Sequence, residues 1–202
     1  DGTRLAVGAY NNSGTGSGAG HVRVFDLVGG AWTQVGADID GEASSDFSGW
    51  SVALSSDGTR LAVGAYGNDG TGSYAGHVRV FDWSGSAWTQ LGGDIDGEAA
   101  GDYSGRSVAL SSDGTRLAVG AYPNDGGGST AGHVRVFDWS GSAWTQVGAD
   151  IDGEAAGDRS GTSVALSSDG SRLAVGAYGN GSYAGHVRVF DWSGRAGSAR
   201  GG

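Results

Sequence analysis

The chain has no cysteine, no methionine and a single proline, and all twelve of its basic residues are arginine. Without cysteine it can form no disulfide and hold no metal through thiolate, and its redox compartment stays undecided. No apolar run approaches the roughly 18 residues that a membrane helix needs, and no signal peptide is present, so no membrane insertion is expected of this segment. Positive charge is scarce as well. Twelve Arg stand against 19 Asp and 3 Glu, for a net charge of −10. Nucleic acid requires a basic face to displace its counterions, and anionic bilayers draw on the same charge, so neither is expected as a partner.

What is plentiful is glycine, 43 of 202 residues, set among short ordered runs of Val, Leu, Ala, Trp and Phe. The run DGTRLAVGAY begins at Asp1, Asp57 and Asp113 and recurs as DGSRLAVGAY from Asp169, a period of 56 residues. Copies 57–112 and 113–168 differ only at positions 67, 71, 74, 91, 93, 103 and 106. Such self-similarity marks a repeat architecture, in which the unit must be understood before any single residue. The opening in mid-motif, with no initiator methionine, leads us to expect that the segment continues into further copies in its parent chain.

Within a unit the alternation predicts four strands: Ser107–Leu110, Arg116–Tyr122, His133–Trp139 and Ala143–Val147. Asp113-Gly114 reads as a type I′ hairpin turn, with positive φ at both residues. No window carries ten residues of helical periodicity. The fold class is therefore all-β. Four short antiparallel strands at this period fit the blade of a β-propeller, with small residues crowding the axis and the Trp-bearing strands filling the wider rim. About 3.5 blades are present, in a partial blade 1–46, blades 47–102 and 103–158, a partial blade 159–194 and a disordered tail 195–202. Closed propellers usually use four to eight blades, so an open arc is expected. The tryptophans at 32, 83, 88, 139, 144 and 192 are read as packing between blades.

Phe47-Ser48-Gly49-Trp50-Ser51-Val52-Ala53-Leu54 followed by Arg60-Leu61-Ala62-Val63-Gly64-Ala65-Tyr66 resembles an FG-GAP repeat, the blade motif of integrin α-subunit propellers. The resemblance recurs from Tyr103 to Tyr122 and from Arg159 to Tyr178. It implies a seven-bladed propeller outside the cell or on its surface, used in adhesion or ligand recognition. Two departures stand out. Tyr66, Tyr122 and Tyr178 occupy the place of the family's proline. The family's calcium loop between the first two strands is here only Ser55-Ser56-Asp57-Gly58, too few oxygens for Ca²⁺, so that site is not carried over to Asp57, Asp113 or Asp169.

In an up-and-down blade the 2–3 and 4–1 connections share one face. Both are long here, so loop-borne recognition is expected on that face. Most acids of the unit are expected there too: Asp38, Asp40, Glu42 and Asp46, then Asp94, Asp96, Glu98 and Asp102, then Asp150, Asp152, Glu154 and Asp158, with Asp69 and Asp125 in neighbouring loops. Asp-x-Asp-x-Glu could gather Ca²⁺, against the alternative of solvated turn residues capping backbone amides. Tyr74, Tyr103, Arg106, Arg159 and Tyr183, at loop positions that change between copies, are the candidate ligand contacts. His21, His77, His133 and His186 open the third strand of each copy and are read as structural, one per blade being too far apart to meet on one metal. Arg79 and Asp82 are read as ion-pairing within or between blades. No unique Ser, His and Asp set exists, since each recurs in every copy, and catalysis calls for one asymmetric constellation. The leading expectation is a non-catalytic recognition segment for a protein or glycan partner. A lectin-like module and an accessory domain of a surface enzyme are the alternatives.

Overall fold

In the computed structural model, which describes residues 2–192 and 200–201, the repeats form four antiparallel sheets, one per copy. The first holds β1 (Arg4–Ala9), β2 (His21–Val28), β3 (Ala31–Gln34) and β4 (Ile39–Asp40). The two complete copies give β5 (Ser51–Leu54), β6 (Arg60–Ala65), β7 (His77–Trp83), β8 (Trp88–Gln90) and β9 (Ile95–Asp96), then β10 (Ser107–Leu110), β11 (Arg116–Ala121), β12 (His133–Trp139), β13 (Trp144–Gln146) and β14 (Ile151–Asp152). The fourth holds β15 (Ser160–Leu166), β16 (Arg172–Ala177), β17 (His186–Asp191) and β18 (Arg200–Gly201), with a one-turn helix α1 (Asn180–Tyr183) between β16 and β17. Each is the meander expected of a blade, and the sheets do not close into a ring. Of the tail at 195–202, residues 195–199 and 202 lie outside the described residues, while Arg200–Gly201 pair with β17.

The outer strand departs from the sequence reading. It is two pieces on one partner: β8 pairs with the far half of β7 through Trp83↔Trp88, and β9 pairs with its start through Val78↔Ile95 and His77↔Asp96. Ile95 is the reason, because it is the apolar residue of that stretch and is buried against the next blade. The Leu91 amide still donates to Val80 O, and residues 92–94 bulge out between the two pieces. A connection read as loop from Gly92 is thus strand-bound until Asp96.

The tight turns also differ from the type I′ expectation. Only the glycine of each Asp-Gly pair has positive φ (+69, +68 and +67° at Gly58, Gly114 and Gly170). The Gly114 amide donates to Ser111 O and the Ser111 amide to Arg116 O, giving a four-residue loop built around a tight turn closed by a left-handed glycine. Asp113 instead accepts from Ser111 Oγ and the Thr115 amide.

Blade-to-blade stacking makes the core. One apolar cluster sits at each junction: Val22, Val24 and Ile39 meet Leu61, Val63 and Phe81; Val78, Val80 and Ile95 meet Leu117, Val119 and Phe137; Val134, Val136 and Ile151 meet Leu173, Val175 and Phe190. Each of these side chains contributes roughly 1.5–3 kcal/mol of burial before ordering entropy is subtracted. Toward the axis the strands approach so closely that a Cβ on Gly64 would lie 2.0 Å from Gly105 O, and one on Gly120 2.1 Å from Gly161 O. The same contact, from Gly8 to Gly49 O, explains the glycine in the first three LAVGAY runs. Ser51 and Ser107 donate to the same two carbonyls at 2.7 Å. At the rim, Arg4 stacks over Trp83 and Trp88 of the next blade, and Arg116 over Trp192, so these tryptophans do pack between blades.

Candidate functional site

The 2–3 and 4–1 connections emerge together, as the strand order requires, and they interlock. The amide of Phe47 donates to Gly18 O and that of Ser48 to Ala19 O, and the pattern returns with Tyr103 and Ser104 on Tyr74 and Ala75. Bulky residues at these crossings adopt left-handed backbone, with φ +55° at Phe47 and Tyr74, +53° at Tyr103, +58° at Arg159 and +72° at Tyr183. Left-handed conformation in a large side chain costs energy and persists only where surroundings impose it. Here loop-to-loop hydrogen bonds impose it, helped by Asp69, which accepts from the Tyr74 amide at 2.7 Å, and Asp125, which accepts from that of Thr130.

This backbone throws the side chains into one row across all four blades. Tyr10 meets Trp50 edge-on with ring centres 4.7 Å apart, Trp50 meets Tyr66 at 4.9 Å, and Phe47 stacks on Tyr66 at 5.2 Å. Tyr103 bridges Tyr66 and Tyr74 at 5.6 and 5.5 Å. Arg106 continues the row as a cation among rings, its guanidinium 4.8 Å from Trp50, 4.9 Å from Tyr66 and 4.5 Å from Tyr122. Beyond it lie Tyr122, Tyr178 and Tyr183, with Arg159 over the last two and bonded to the Tyr178 hydroxyl. Burial raises the Tyr66 hydroxyl above its ordinary pKa, and the bond to Tyr178 raises that of Arg159. Tyr10, Tyr74, Tyr178 and Tyr183 remain exposed along the ribbon. All five candidate ligand contacts, Tyr74, Tyr103, Arg106, Arg159 and Tyr183, therefore converge. The sequence reading missed Tyr10, Phe47, Trp50, Tyr66, Tyr122 and Tyr178, although the tyrosines standing in the place of proline were the available signal.

The acids do not form a single pool on this face. Asp46, Asp102 and Asp158 are buried and turn inward to accept local backbone amides, as Asp46 does from Glu42 and Ala43. Asp38, Asp94 and Asp150 sit in the outer-strand bulge, each accepting from the Gln four residues earlier at 2.7 Å. Arg23 adds to Asp38 and, with Gln34, lowers its pKa to about 2. Asp40, Asp96 and Asp152 lie on the short outer strands, and their carbonyls accept from Arg79, Arg135 and Arg188 of the following blade. Glu42, Glu98 and Glu154 reach the same arginines and the following histidine. In the complete copies the Asp-x-Asp-x-Glu spacing thus sends its carboxylates to different neighbours, while in the first copy Asp38 and Asp40 stay within 4.8 Å of each other and of His21.

His21, His77 and His133 are buried, and His186, in the last blade, is half-buried. His77 and His133 are each 1 % exposed, and burial, reinforced by Arg79 and Arg135, pushes both imidazoles below their ordinary pKa. Asp57, Asp113 and Asp169 are held below the carboxylate range by their turn hydrogen bonds, Asp169 to about 2, and serve as caps. Arg60 and Asp82 pair across β6 and β7 at 2.6 Å, while Arg79 pairs with Glu42 of the preceding blade at 3.4 Å, so both kinds of expected ion pair occur.

Among solved structures the chain is similar to a provisionally assigned 6-phosphogluconolactonase of Bacteroides uniformis (TM-score 0.61, 12 % identity, 98 % of this chain and 53 % of that one). It is similar also to a counterpart from Bacteroides fragilis (0.57, 14 %, 90 % and 50 %) and to the periplasmic gluconolactonase of Pseudomonas aeruginosa (0.59, 20 %, 93 % and 49 %). At these identities the likeness concerns the fold alone, and the chain spans about half the length of each. No curated protein matches it. In sequence, the FG-GAP repeat family matches residues 35–81 and 95–137, stretches that run across the blade junctions and contain the LAVGAY strand and the GHVRVF of its partner. The chain is a β-propeller segment that carries FG-GAP repeats at residues 35–81 and 95–137.

Proposed function

We propose that this segment is a non-catalytic recognition module, exposed outside the cell or on its surface, that binds an extended protein segment or glycan chain along its long-loop face. The observation carrying this reading is the unbroken aromatic row from Tyr10 to Tyr183, punctuated by Arg106 and Arg159. Half-exposed rings on a rigid scaffold offer large apolar area at low entropic cost, and an arginine flanked by rings is a typical anchor of a binding surface. Arg106 has no carboxylate partner among the described residues, so its charge is available to an acidic group on the partner. The continuity across blades favours a ligand that crosses several repeats over one held in a single pocket.

Lactone hydrolysis belongs to the structural neighbours by their descriptions. The histidines and most carboxylates of this chain recur blade by blade, and two arginines that do not recur, Arg106 and Arg159, stand among aromatic rings, an arrangement that favours binding over hydrolysis. The test is to probe a glycan array and an array of extracellular proteins with the segment and with Arg106→Ala/Tyr122→Ala, after matching their melting curves. The reading expects a saturable hit that the double variant weakens at least tenfold. Absence of any hit, or a hit the variant retains in full, overturns it.

A further inference from the structure

Two internal junctions hold a three-donor cluster that the recognition face does not use. At the first, Nδ1 of His77 lies 4.0 Å from Glu42 Oε2 of the preceding blade and 3.8 Å from Asp94 Oδ2 of its own. At the second, His133 Nδ1 lies 3.9 Å from Glu98 Oε2 and 3.9 Å from Asp150 Oδ2. All donor atoms of a cluster fall within 4.8 Å of one another. The separations are too long for hydrogen bonds. They suit three ligands around one ion, since bonds of about 2.0–2.2 Å set ligand atoms well over 3 Å apart.

Three further features point to a cation. Each imidazole is 1 % exposed and turns Nδ1 toward the two oxygens without a hydrogen bond among the described residues, while Nε2, on the other side of the ring and outside the cluster, is also buried and unpaired. A buried polar group without a partner is costly, and such exceptions ask for a missing ligand or ion. Each carboxylate has its other oxygen already held: Arg79 faces Glu42 Oε1 at 3.4 Å, and Gln90 donates to Asp94 Oδ1 at 2.7 Å. Arg135 and Gln146 repeat this on Glu98 Oε1 and Asp150 Oδ1. Outer partners of this kind orient the ligands of a metal and leave one lone pair directed inward. Glu42 and Glu98 are partly exposed, which leaves an entry path from solvent.

We infer that Glu42, His77 and Asp94, and likewise Glu98, His133 and Asp150, each bind one divalent transition cation of the zinc or manganese type, which cross-links adjacent blades. One imidazole nitrogen with two carboxylate oxygens favours these ions over Ca²⁺, which takes oxygen ligands. Water completes the coordination. The terminal copies differ: His21 lies with Asp38 and Asp40 instead, their donor atoms within 4.8 Å, but both oxygens of Asp38 are already taken by Arg23, and His186 faces Glu154 with no outer-strand acid among the described residues.

The test is titration of chelator-treated protein with Zn²⁺ and with Co²⁺, following heat, cobalt absorbance and melting temperature. Two ions per chain are expected, with a cobalt spectrum indicating nitrogen ligation and a melting temperature that rises with free metal, whereas Ca²⁺ moves it little. Glu42→Gln should leave one ion, and Glu42→Gln/Glu98→Gln none. These glutamates are solvent-accessible, so the variants should keep the metal-free melting curve of the parent; Asp94→Asn/Asp150→Asn provides a second pair should they not. Absence of saturable binding by the parent, or two ions retained by both double variants, overturns the inference.

Discussion

Leu61 and Leu5 occupy the same position of the same motif in the same strand, yet Leu61 is 0 % exposed and Leu5 41 %. Val78 and Val187 repeat the contrast at the other end of the arc, 0 % against 65 %. The backbone register is the same in each pair. The difference is whether a neighbouring blade is present. A copy therefore carries the information for its own meander, while its burial comes from the next copy, which is how stability is distributed in quasi-one-dimensional repeat arrays. Interior and terminal copies are internal controls for each other.

The sharpest way to break this comparison is at the axis. Gly120→Ala drives a methyl into the backbone carbonyl of Gly161, which can yield only if two blades separate, and we expect a loss above about 4 kcal/mol or failure to fold. Gly176→Ala, in the last blade, meets only the Ser163 hydroxyl at 2.4 Å, the end of a side chain that can rotate, so a change within about 1 kcal/mol is expected. Urea denaturation of the two variants decides the point, and equal losses would place the glycine requirement inside the blade. Next in size, Leu117→Ala should cost about 2–5 kcal/mol through the cavity it leaves at a junction, and Leu5→Ala less than about 1 kcal/mol. A large loss at Leu5 would mean that the end face is covered in solution.

Period and alternation made the blade legible in the sequence, because a strand that buries both faces must repeat small and branched residues on a fixed spacing. What the sequence hid was register across copies. Asp94 and Glu98 are four residues apart in the chain, but the outer-strand bulge directs Asp94 to His77 of its own blade while Glu98 reaches His133 of the next. Spacing along one connection could not reveal a cluster whose third member comes from another repeat. Arg106 was visible only as a position that changes between copies, since its three aromatic neighbours are 56, 40 and 16 residues away in sequence. The type I′ reading failed because Asp113 has a better use for its side chain, capping Thr115, than the positive φ that turn would require.

Smaller effects sharpen the same contrast at the rim. Arg116 pairs with Asp138, donates to Gly170 O of the next blade at 2.9 Å and stacks over Trp192, so Arg116→Ala should cost about 1–2 kcal/mol. Among the described residues Arg172 keeps an exposed pair with Asp191, and exposed pairs are worth less than about 1 kcal/mol. Chemical denaturation at low and high salt checks both, with the Arg116 loss surviving salt.

The least of the expected effects is one for which neighbours should not matter. Asp113, in the interior, and Asp169, in the terminal copy, accept the same turn hydrogen bonds from the residues two before and two after them. Both carboxyls are held below their ordinary value, Asp169 to about 2. A carboxyl depressed in the folded state binds fewer protons there than in the unfolded chain. Its contribution is complete above the unfolded value near about 3.9 and is lost as pH falls toward the folded one. Stability measured by urea from pH 5 to pH 2 should therefore fall less steeply in Asp113→Asn and in Asp169→Asn than in the parent, and by similar amounts. A flattening confined to Asp113→Asn would show that even this turn depends on the next blade. Equal flattening would leave the hairpin as the part of each repeat that is self-sufficient, with the junction alone drawing its stability from company.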